Sequence, residues 1–427
     1  MKRIRFSVFH FFFFLLLITI GLRLPLLGET AILLISYIAL LITDFRTALD
    51  QFSLSMADYF CSFLLIIAIP LFLFLKRNNL FLPKNFSFSH YTLSVLLYTF
   101  LFAPVITNDN YEFQKDISVT RLLPPFSSIH VLHLKSNTEK SGRLNDFLSL
   151  KNNVVKNSFD EKIIFFDSLQ ITQSGVFYFQ NERGNGLPLS SIEMVDGKPY
   201  ISIKFFLLGS DEFGRDIFTR IIYGTRISLL IGFCAVILSL IIGVVLGFLA
   251  GFSGGVTDIL LSRLTDMFLS FPIIFFIILI LAFFGNSFIS VIVVLGFSGW
   301  MSLFRIVKGE ILSLKTKDYF ITARQLGLSG TKLLLKEALP IIAIPVIVNT
   351  VFQFGNVVLS ESALSFLGLG IGNEFPSWGG MINSGQEYLS QAWWMILFPG
   401  AAIILTLVTV NDFGRKLAQY FNPRLHE

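Results

Sequence analysis

Few residue combinations in this 427-residue chain could do chemistry. The run Gly327-Leu-Ser-Gly330-Thr-Lys332 has glycines and a lysine, but at the wrong spacing for a phosphate-binding loop. Such a loop needs G-x-x-x-x-G-K-[ST] after a strand, so that backbone amides cradle phosphate and the lysine reaches its outer oxygens. His130 and His133 form an H-x-x-H pair, which alone makes a metal site less expected than a plain loop or strand pair. Cys61 and Cys234 lie far apart inside apolar runs, as small buried hydrophobes do, and suggest neither a disulfide nor a thiolate site. No nucleophile, histidine and carboxylate stand in a catalytic pattern. The expectation is a chain with no catalytic residue and no metal, which hydrolyses no ATP itself.

What remains is polar residues placed where apolar ones would be cheaper. Asn349, Gln353, Asn356 and Ser360 recur at steps of four, three and four, which puts them on one face of a helix. At membrane depth such groups are costly unless they face water or protein. They suit a hydrated translocation path beside a partner subunit, or hydrogen bonds across a helix interface, and both can hold along the same face. Glu361 ends the stripe as a buried structural carboxylate or a contact to the solute. Gly243, Gly247 and Gly251 recur every fourth residue as a close-packing face. Asp266, Arg305 and Glu310 fall near span ends, as anchors or ion pairs.

The elements that must hold these residues are membrane helices. The chain is 54% hydrophobic with 49 Phe and only 14% charged residues, more apolar surface than a soluble core could hide. A formal charge of +5, gathered at span ends, fits membrane anchoring and not nucleic-acid binding. The basic then apolar start looks like a signal peptide but lacks a small-residue cleavage site. Apolar runs lie near 6–22, 30–43, 57–75 and 90–106, within an N-terminal membrane extension at 1–89 and a first span at 90–106. The first two are short against the roughly 20 residues a bilayer takes. They form either two tilted spans or one span plus an interfacial or re-entrant piece.

Residues 107–207 turn polar, with alternating stretches at Lys162-Ile-Ile-Phe-Phe and Val176-Phe-Tyr-Phe and turn signals at Gly184-Asn-Gly186 and Asp196-Gly197. A small β-rich domain is expected there, with disorder competing over 135–160. Five spans follow near 227–250, 267–285, 288–307, 340–362 and 392–411, a membrane core at 227–411 with a tail at 412–427. Lys308, Lys315, Lys317, Arg324, Lys332 and Lys336 cluster in the loop 308–339 and make it cytoplasmic. Counting back from that loop puts 107–226 outside. The basic N-terminus then falls inside if 6–43 holds one span, or one plus a re-entrant turn.

Inside that loop stands Asp318-Tyr-Phe-Ile-Thr-Ala-Arg-Gln-Leu-Gly-Leu-Ser-Gly-Thr-Lys-Leu-Leu-Leu-Lys-Glu-Ala-Leu-Pro340, expected as two short helices broken at Gly327. Ahead of the core comes an elbow at 208–226, Leu208-Gly-Ser-Asp-Glu-Phe-Gly-Arg-Asp followed by an arginine-bearing amphipathic stretch. Gly209, Asp211, Gly214, Arg215, Asp216, Arg220, Gly224 and Arg226 of this region, the Ala-x-x-x-Gly core and Leu-Pro end of the loop, Gly254 to Pro272, and Ser360-Glu-Ser-Ala-Leu-Ser-Phe-Leu-Gly-Leu-Gly370 with Pro376-Ser-Trp-Gly-Gly380 all resemble one family. That family is the ABC importer permeases of the dipeptide/oligopeptide/nickel type, specifically their second permease subunit. The resemblance covers about 90–106 and 208–424.

The resemblance implies an all-α polytopic membrane protein with a type I ABC importer helix bundle, carrying a small β-rich extracytoplasmic insertion. It implies a multi-pass permease in the cytoplasmic (inner) membrane of a bacterium, passing a peptide-like solute. Its implied partners are a second permease subunit, two ATPase subunits that bind ATP and Mg, and an extracytoplasmic solute-binding protein. The 318–340 segment is then the coupling loop, with Ala323, Arg324, Leu326, Gly327, Leu328 and Lys332 against the ATPase. Read bottom-up, Ala323 permits close approach, Leu326 and Leu328 supply apolar contact, and Arg324 and Lys332 can pair with acids. Ile321, Thr322 and Glu337 depart from the family pattern, and residues 1–89 have no counterpart in it. Two other classes compete: an ion-coupled secondary transporter, and a membrane-anchored sensor or enzyme working through 107–207. The former usually shows inverted repeats and mid-membrane charges, whereas charges here sit at span edges.

Overall fold

A computed structural model describes residues 8–75, 88–107, 109–135, 143–155, 162–172, 175–325, 339–372 and 375–421. It divides into two compact units, Met1–Phe86 with Ser94–Arg226 and Ser384–Pro399, and Ser87–Leu93 with Ile227–Asn383 and Gly400–Glu427.

The first unit opens with helices α1 (Val8–Leu22), α2 (Leu24–Thr43), α3 (Phe45–Gln51), α4 (Leu54–Leu75) and α5 (Phe88–Ile106). The two short apolar runs are thus two helices meeting at Arg23, through which helical bonding continues: Arg23 N–H donates to Thr19 O and Leu27 N–H to Arg23 O, both at 2.9 Å. Asp44 caps α3 by accepting from Thr47 N–H at 3.2 Å. A bend of 94° separates α3 from α4. α5 kinks at Phe102 (φ −117°, ψ 18°), two residues before Pro104. A proline ring there excludes the regular turn before it.

The insertion contains three small antiparallel sheets with strand orders β2-β1-β8, β3-β4-β5 and β6-β7. The strands are β1 (Ser127–His133), β2 (Ile163–Phe166), β3 (Ser168–Thr172), β4 (Gly175–Gln180), β5 (Arg183–Leu187), β6 (Met194–Val195), β7 (Lys198–Pro199) and β8 (Ile201–Phe206). Helices α6 (Ile117–Thr120) and α7 (Arg143–Val154) accompany them. Both stretches expected as strands are strands. Asp196 (φ 53°) and Gly197 (φ 76°) make the β6-β7 turn, the double positive φ that a tight hairpin turn demands. Gly184-Asn-Gly186 is not a turn but lies within β5. There Gly184 and Gly186 pair with Phe179 and Phe177, and a Cβ on Gly186 would come within 2.9 Å of the Phe177 ring. The glycines make room for rings on the facing strand. The stretch 135–160 is not simply disordered, because it contains α7, whose Phe147 and Val154 are buried against Tyr37, Met56 and Phe60. Amphipathic spacing outweighed the polar composition there.

The second unit is built on α8 (Ile217–Ser253), α9 (Gly255–Ser270), α10 (Ile273–Phe284), α11 (Phe288–Lys315), α12 (Asp318–Gln325), α13 (Leu339–Phe366), α14 (Trp378–Gln386) and α15 (Trp394–Phe421). α8 and α15 each begin or end within the first unit. The elbow is a non-helical turn at 208–216 that passes into helix at Ile217, and boundaries differ from expectation elsewhere. The span expected at 267–285 is broken: α9 and α10 meet at 89°. Pro272 cannot donate to the preceding turn and holds Phe271 extended (φ −91°, ψ 129°). α11 runs through Lys315 and α15 through Phe421, so the loop at 308 and the tail at 412 both begin inside helices.

Among the described residues six single helices could cross a membrane by length and composition, α2, α5, α8, α11, α13 and α15, and up to eight spans are counted if the bent pairs α3–α4 and α9–α10 are each one. The glycine stripe on α8 faces α11. A Cβ on Gly243 or Gly247 would lie 2.8 Å from the carbonyl oxygens of Trp300 or Phe304. Only a residue without a side chain lets these backbones approach so closely.

Candidate functional site

The coupling segment starts where α11 ends. Lys317 N–H donates to Leu314 O at 3.0 Å, and Lys317 O accepts from Phe320 N–H at 3.0 Å and Ile321 N–H at 3.1 Å, so α12 grows directly from α11. Phe320 is buried among Val307, Ile311, Leu314, Ile342 and Val346. It therefore pins α12 to the facing ends of α11 and α13. Tyr319 and Ile321 stay exposed. Ala323 and Arg324 belong to α12, though their side chains lie outside the described residues, as do Leu326, Gly327, Leu328 and Lys332. The expected break at Gly327 falls there too.

Neighbouring basic residues are fastened to the same end of the unit. Lys315 Nζ donates to Phe252 O at 2.6 Å, at the C-terminal end of α8. Lys308 Nζ reaches Asp258 Oδ1 at 2.5 Å and Ser262 Oγ at 2.6 Å. Arg305 pairs with Asp266 at 2.9 Å, the ion pair expected from their placement. α8, α9 and α11 are thereby cross-braced.

On α13 the polar stripe divides. Asn349 lines a cavity of about 750 Å³ together with Arg305, Glu310, Pro345, Phe352 and Phe421. Gln353 is buried, at 9% exposure. Its Oε1 and Nε2, like Asn349 Oδ1, have no hydrogen-bond partner among the described residues. The Gln353 amide fits against the backbone of Gly299 and near Ser239. Asn356 and Ser360 are exposed. One helix face therefore passes from a cavity, through a buried amide, to open side chains.

Glu361 does not continue this stripe. It is fully buried, whereas Ser360 beside it is exposed. Its carboxyl accepts from Ser365 Oγ at 2.8 Å, Ser228 Oγ at 3.2 Å and Ser362 Oγ at 3.5 Å. Ser377 Oγ donates on to Ser365 Oγ at 3.3 Å, and Trp378 N–H donates to Ser228 Oγ at 3.4 Å. One step of 100° around the helix turned the residue from the open face to the packed one. It joins α13, α8 and the start of α14. The serines were not singled out from sequence. The Glu361–Ser365 spacing of one helical turn was the available signal.

The elbow is a set of local bonds, as its composition suggested. Asp211 Oδ1 accepts from Phe213 N–H and Arg215 N–H at 2.9 Å each, and Asp211 Oδ2 accepts from Arg215 Nε at 2.6 Å. Arg220 stands 3.6 Å from the same oxygen. Asp216 caps α8 by accepting from Thr219 N–H at 2.9 Å. Gly209 (φ 84°) has the Leu123 carbonyl where its Cβ would be, at 2.6 Å, and Gly214 (φ 75°) has Thr120 Oγ1 at 2.1 Å. Burial pushes the Glu212 carboxyl above its ordinary range, helped by the charge of Asp211. Burial also raises Asp216, against the Thr219 hydrogen bonds.

His130 stacks on Phe166 and His133 bonds Ser202, both within β1. Among the described residues no group of His, Cys, Asp and Glu is arranged to hold a metal ion.

The family model of binding-protein-dependent transport system inner membrane components matches residues 243–427. The chain is 36% identical over 217 residues to the dipeptide transport system permease protein DppC of Alkalihalophilus pseudofirmus, covering 51% of this chain and 71% of that protein. It is 38% identical over 216 residues to the oligopeptide transport system permease protein OppC of Escherichia coli, covering 51% and 72%. Among solved structures, the MetNI methionine ABC transporter in an inward-facing conformation matches at 17% identity and a TM-score of 0.38, covering 47% of this chain and 97% of that one. The chain belongs to the family of binding-protein-dependent transport inner membrane components, the permease subunits of ABC importers. It is a multi-pass membrane protein, mostly helical, with a strand-containing insertion.

Proposed function

We propose that this permease admits a peptide-like solute across the cytoplasmic membrane of a bacterium, as a non-catalytic subunit. Two ATPase subunits bind ATP and Mg and supply the energy. A second permease subunit completes the path, and an extracytoplasmic solute-binding protein delivers the solute to the side carrying 107–226. The names of the related dipeptide and oligopeptide permeases support the solute class.

The observation that carries the coupling role is the seating of Phe320 between α11 and α13. A helix pinned in this way moves with the two spans on either side of it. Closure of docked ATPases would then rotate those spans as a rigid pair. The exposed polar residues Asn356 and Ser360 are open to a second permease, and Asn349 and Gln353 extend their line along the same helix face.

The test is ATP-driven uptake of labelled di- and oligopeptides in proteoliposomes holding the co-purified complex. Gly327→Trp is expected to abolish uptake while membrane insertion and complex assembly persist. Uptake that follows an imposed proton gradient without ATP would overturn the proposal in favour of an ion-coupled carrier.

A further inference from the structure

Helix α2 is 20 residues long and apolar enough to be counted as a span. Its contacts say otherwise. At its start, Arg23 Nη2 donates to Ile106 O at 2.9 Å. Ile106 is the last residue of α5, where the chain leaves that helix for the polar insertion. Two-thirds of the way along α2, Tyr37 stacks on Phe147 of the insertion at 6.2 Å between ring centroids, and lies 6.0 Å from the ring of Phe60. Phe60 sits two residues before Ser62, whose hydroxyl donates to Leu101 O one turn from the same end of α5. Arg23 and Tyr37 are 14 residues apart, about 21 Å along a helix. A spanning helix would carry them to different depths. Here Arg23 contacts the end of α5, and Tyr37 contacts the domain that follows that end.

The two faces of α2 differ in what covers them. Leu27, Thr30, Leu33 and Tyr37 are buried on one side. On the opposite side Ile32, Ile35 and Ile42 are 53%, 67% and 80% exposed, and no charged residue interrupts them. The apolar line passes into α3 through Phe45, Leu49 and Phe52, exposed at one-turn spacing. Arg46 and Asp50 point elsewhere on α3, and Lys151 of α7 ties α3 from the other side by donating to Gln51 O at 2.7 Å. An apolar face, a polar edge and a flat course are the marks of a helix lying in the membrane interface.

We infer that α2 and α3 do not cross the bilayer but lie along its surface, with the Ile32–Ile35–Ile42 and Phe45–Leu49–Phe52 face in the acyl chains of one leaflet. The covering is lipid because α4, which follows α3 across a 94° bend and forms a candidate span with it, also exposes apolar side chains at Leu64 and Ile67. The opposite face carries α7, so the module anchors the insertion to the leaflet it stands on.

The experiment places single cysteines at Ile32→Cys, Ile35→Cys and Ile42→Cys in the intact transporter, with Cys61→Ala and Cys234→Ala as background and Ile67→Cys as a deep control. Each is labelled with an environment-sensitive fluorophore in vesicles of phosphatidylethanolamine and phosphatidylglycerol. Quenching is compared for lipids brominated near the headgroup, lipids brominated near the chain end, and aqueous iodide. The expected result is at least two-fold stronger quenching by the shallow bromines at all three sites, with equal depth from Ile32 to Ile42, and the reverse preference at Ile67. A monotonic depth change of about 15 Å across those ten residues would restore α2 as a span. Quenching by iodide would show water on this face. Quenching by none of the three would show a protein partner there. Either of these last results also overturns the inference.

Discussion

A Cβ on Gly299 would lie 2.0 Å from Nε2 of Gln353. The two residues sit on α11 and α13, and the absence of a side chain at 299 is what lets a polar amide lie between the helices. Gly299→Ala is expected to force Gln353 off its rotamer and cost about 1–3 kcal/mol, as overpacked cores do. Gln353→Leu should act in the opposite direction on stability. The buried amide leaves both polar atoms without a partner among the described residues, a burden of about 1–3 kcal/mol that leucine lacks. Thermal unfolding of the detergent-solubilised complex reads the first effect. If Gln353 belongs to the solute path, the leucine variant melts higher yet transports less. A variant that melts higher and transports normally would remove Gln353 from the path.

The pH dependence of the elbow follows from Asp216. Its carboxyl is raised in the folded chain above the ordinary 3.8, with burial as the leading cause. Between those two values the folded protein binds more protons than the unfolded one, so stability falls as pH rises through that window and is level above it. Asn cannot titrate and caps a helix as well as Asp. Asp216→Asn should therefore match wild type in acid and gain on it as pH rises, reaching a constant advantage near neutrality. Glu212 is raised in the same sense, but it is present in both proteins and cancels. Melting temperatures across a pH series check this, and a constant or shrinking difference would contradict it.

Glu361 makes a different comparison possible. Its hydrogen-bond partners among the described residues are serine hydroxyls, which can donate or accept as the partner requires. Glu361→Gln keeps the shape and the bonds and should remain close to wild type in assembly and uptake. Glu361→Ala leaves hydroxyls on α8 and α13 without their shared acceptor, a loss of about 1–3 kcal/mol for the first unsatisfied group. Limited proteolysis near Pro376–Gln386 is expected to accelerate only in the alanine variant. Equal damage from both substitutions would mean that the carboxylate charge itself matters.

Much of this architecture was written in local patterns. The long spans, the strand at Ile163–Phe166 and the Asp196-Gly197 turn follow from apolar runs, alternation and positive φ. The bend at Pro272 was legible in principle, since proline breaks a helix wherever it cannot be its first turn, but the hydropathy of 267–285 hid it. Facts that depend on a distant segment were not legible. Gly184 and Gly186 look like turn residues until Phe177 and Phe179 are seen opposite them. Glu361 looks like the end of a stripe until Ser228, 133 residues away in sequence, is found against it. The same holds for α2, whose composition is that of a span and whose neighbours are those of a surface helix.

The seating of Phe320 yields the sharpest test of coupling. It is buried in one apolar cluster with Ile311, Leu314 and Ile342, so Phe320→Ala opens a cavity and weakens the docking of α12 by about 3–5 kcal/mol. The spans themselves keep their own contacts, including the Arg305–Asp266 and Lys308–Asp258 pairs, and the complex should still assemble. A loosened α12 would dissipate the ATPase movement instead of passing it on to α11 and α13. ATP hydrolysis by the reconstituted complex is then expected to continue while solute uptake falls at least ten-fold, and Phe320→Leu should recover a large part of it. If Phe320→Ala lowered hydrolysis and uptake in the same proportion, the ring would serve ATPase binding and not the transmission of force.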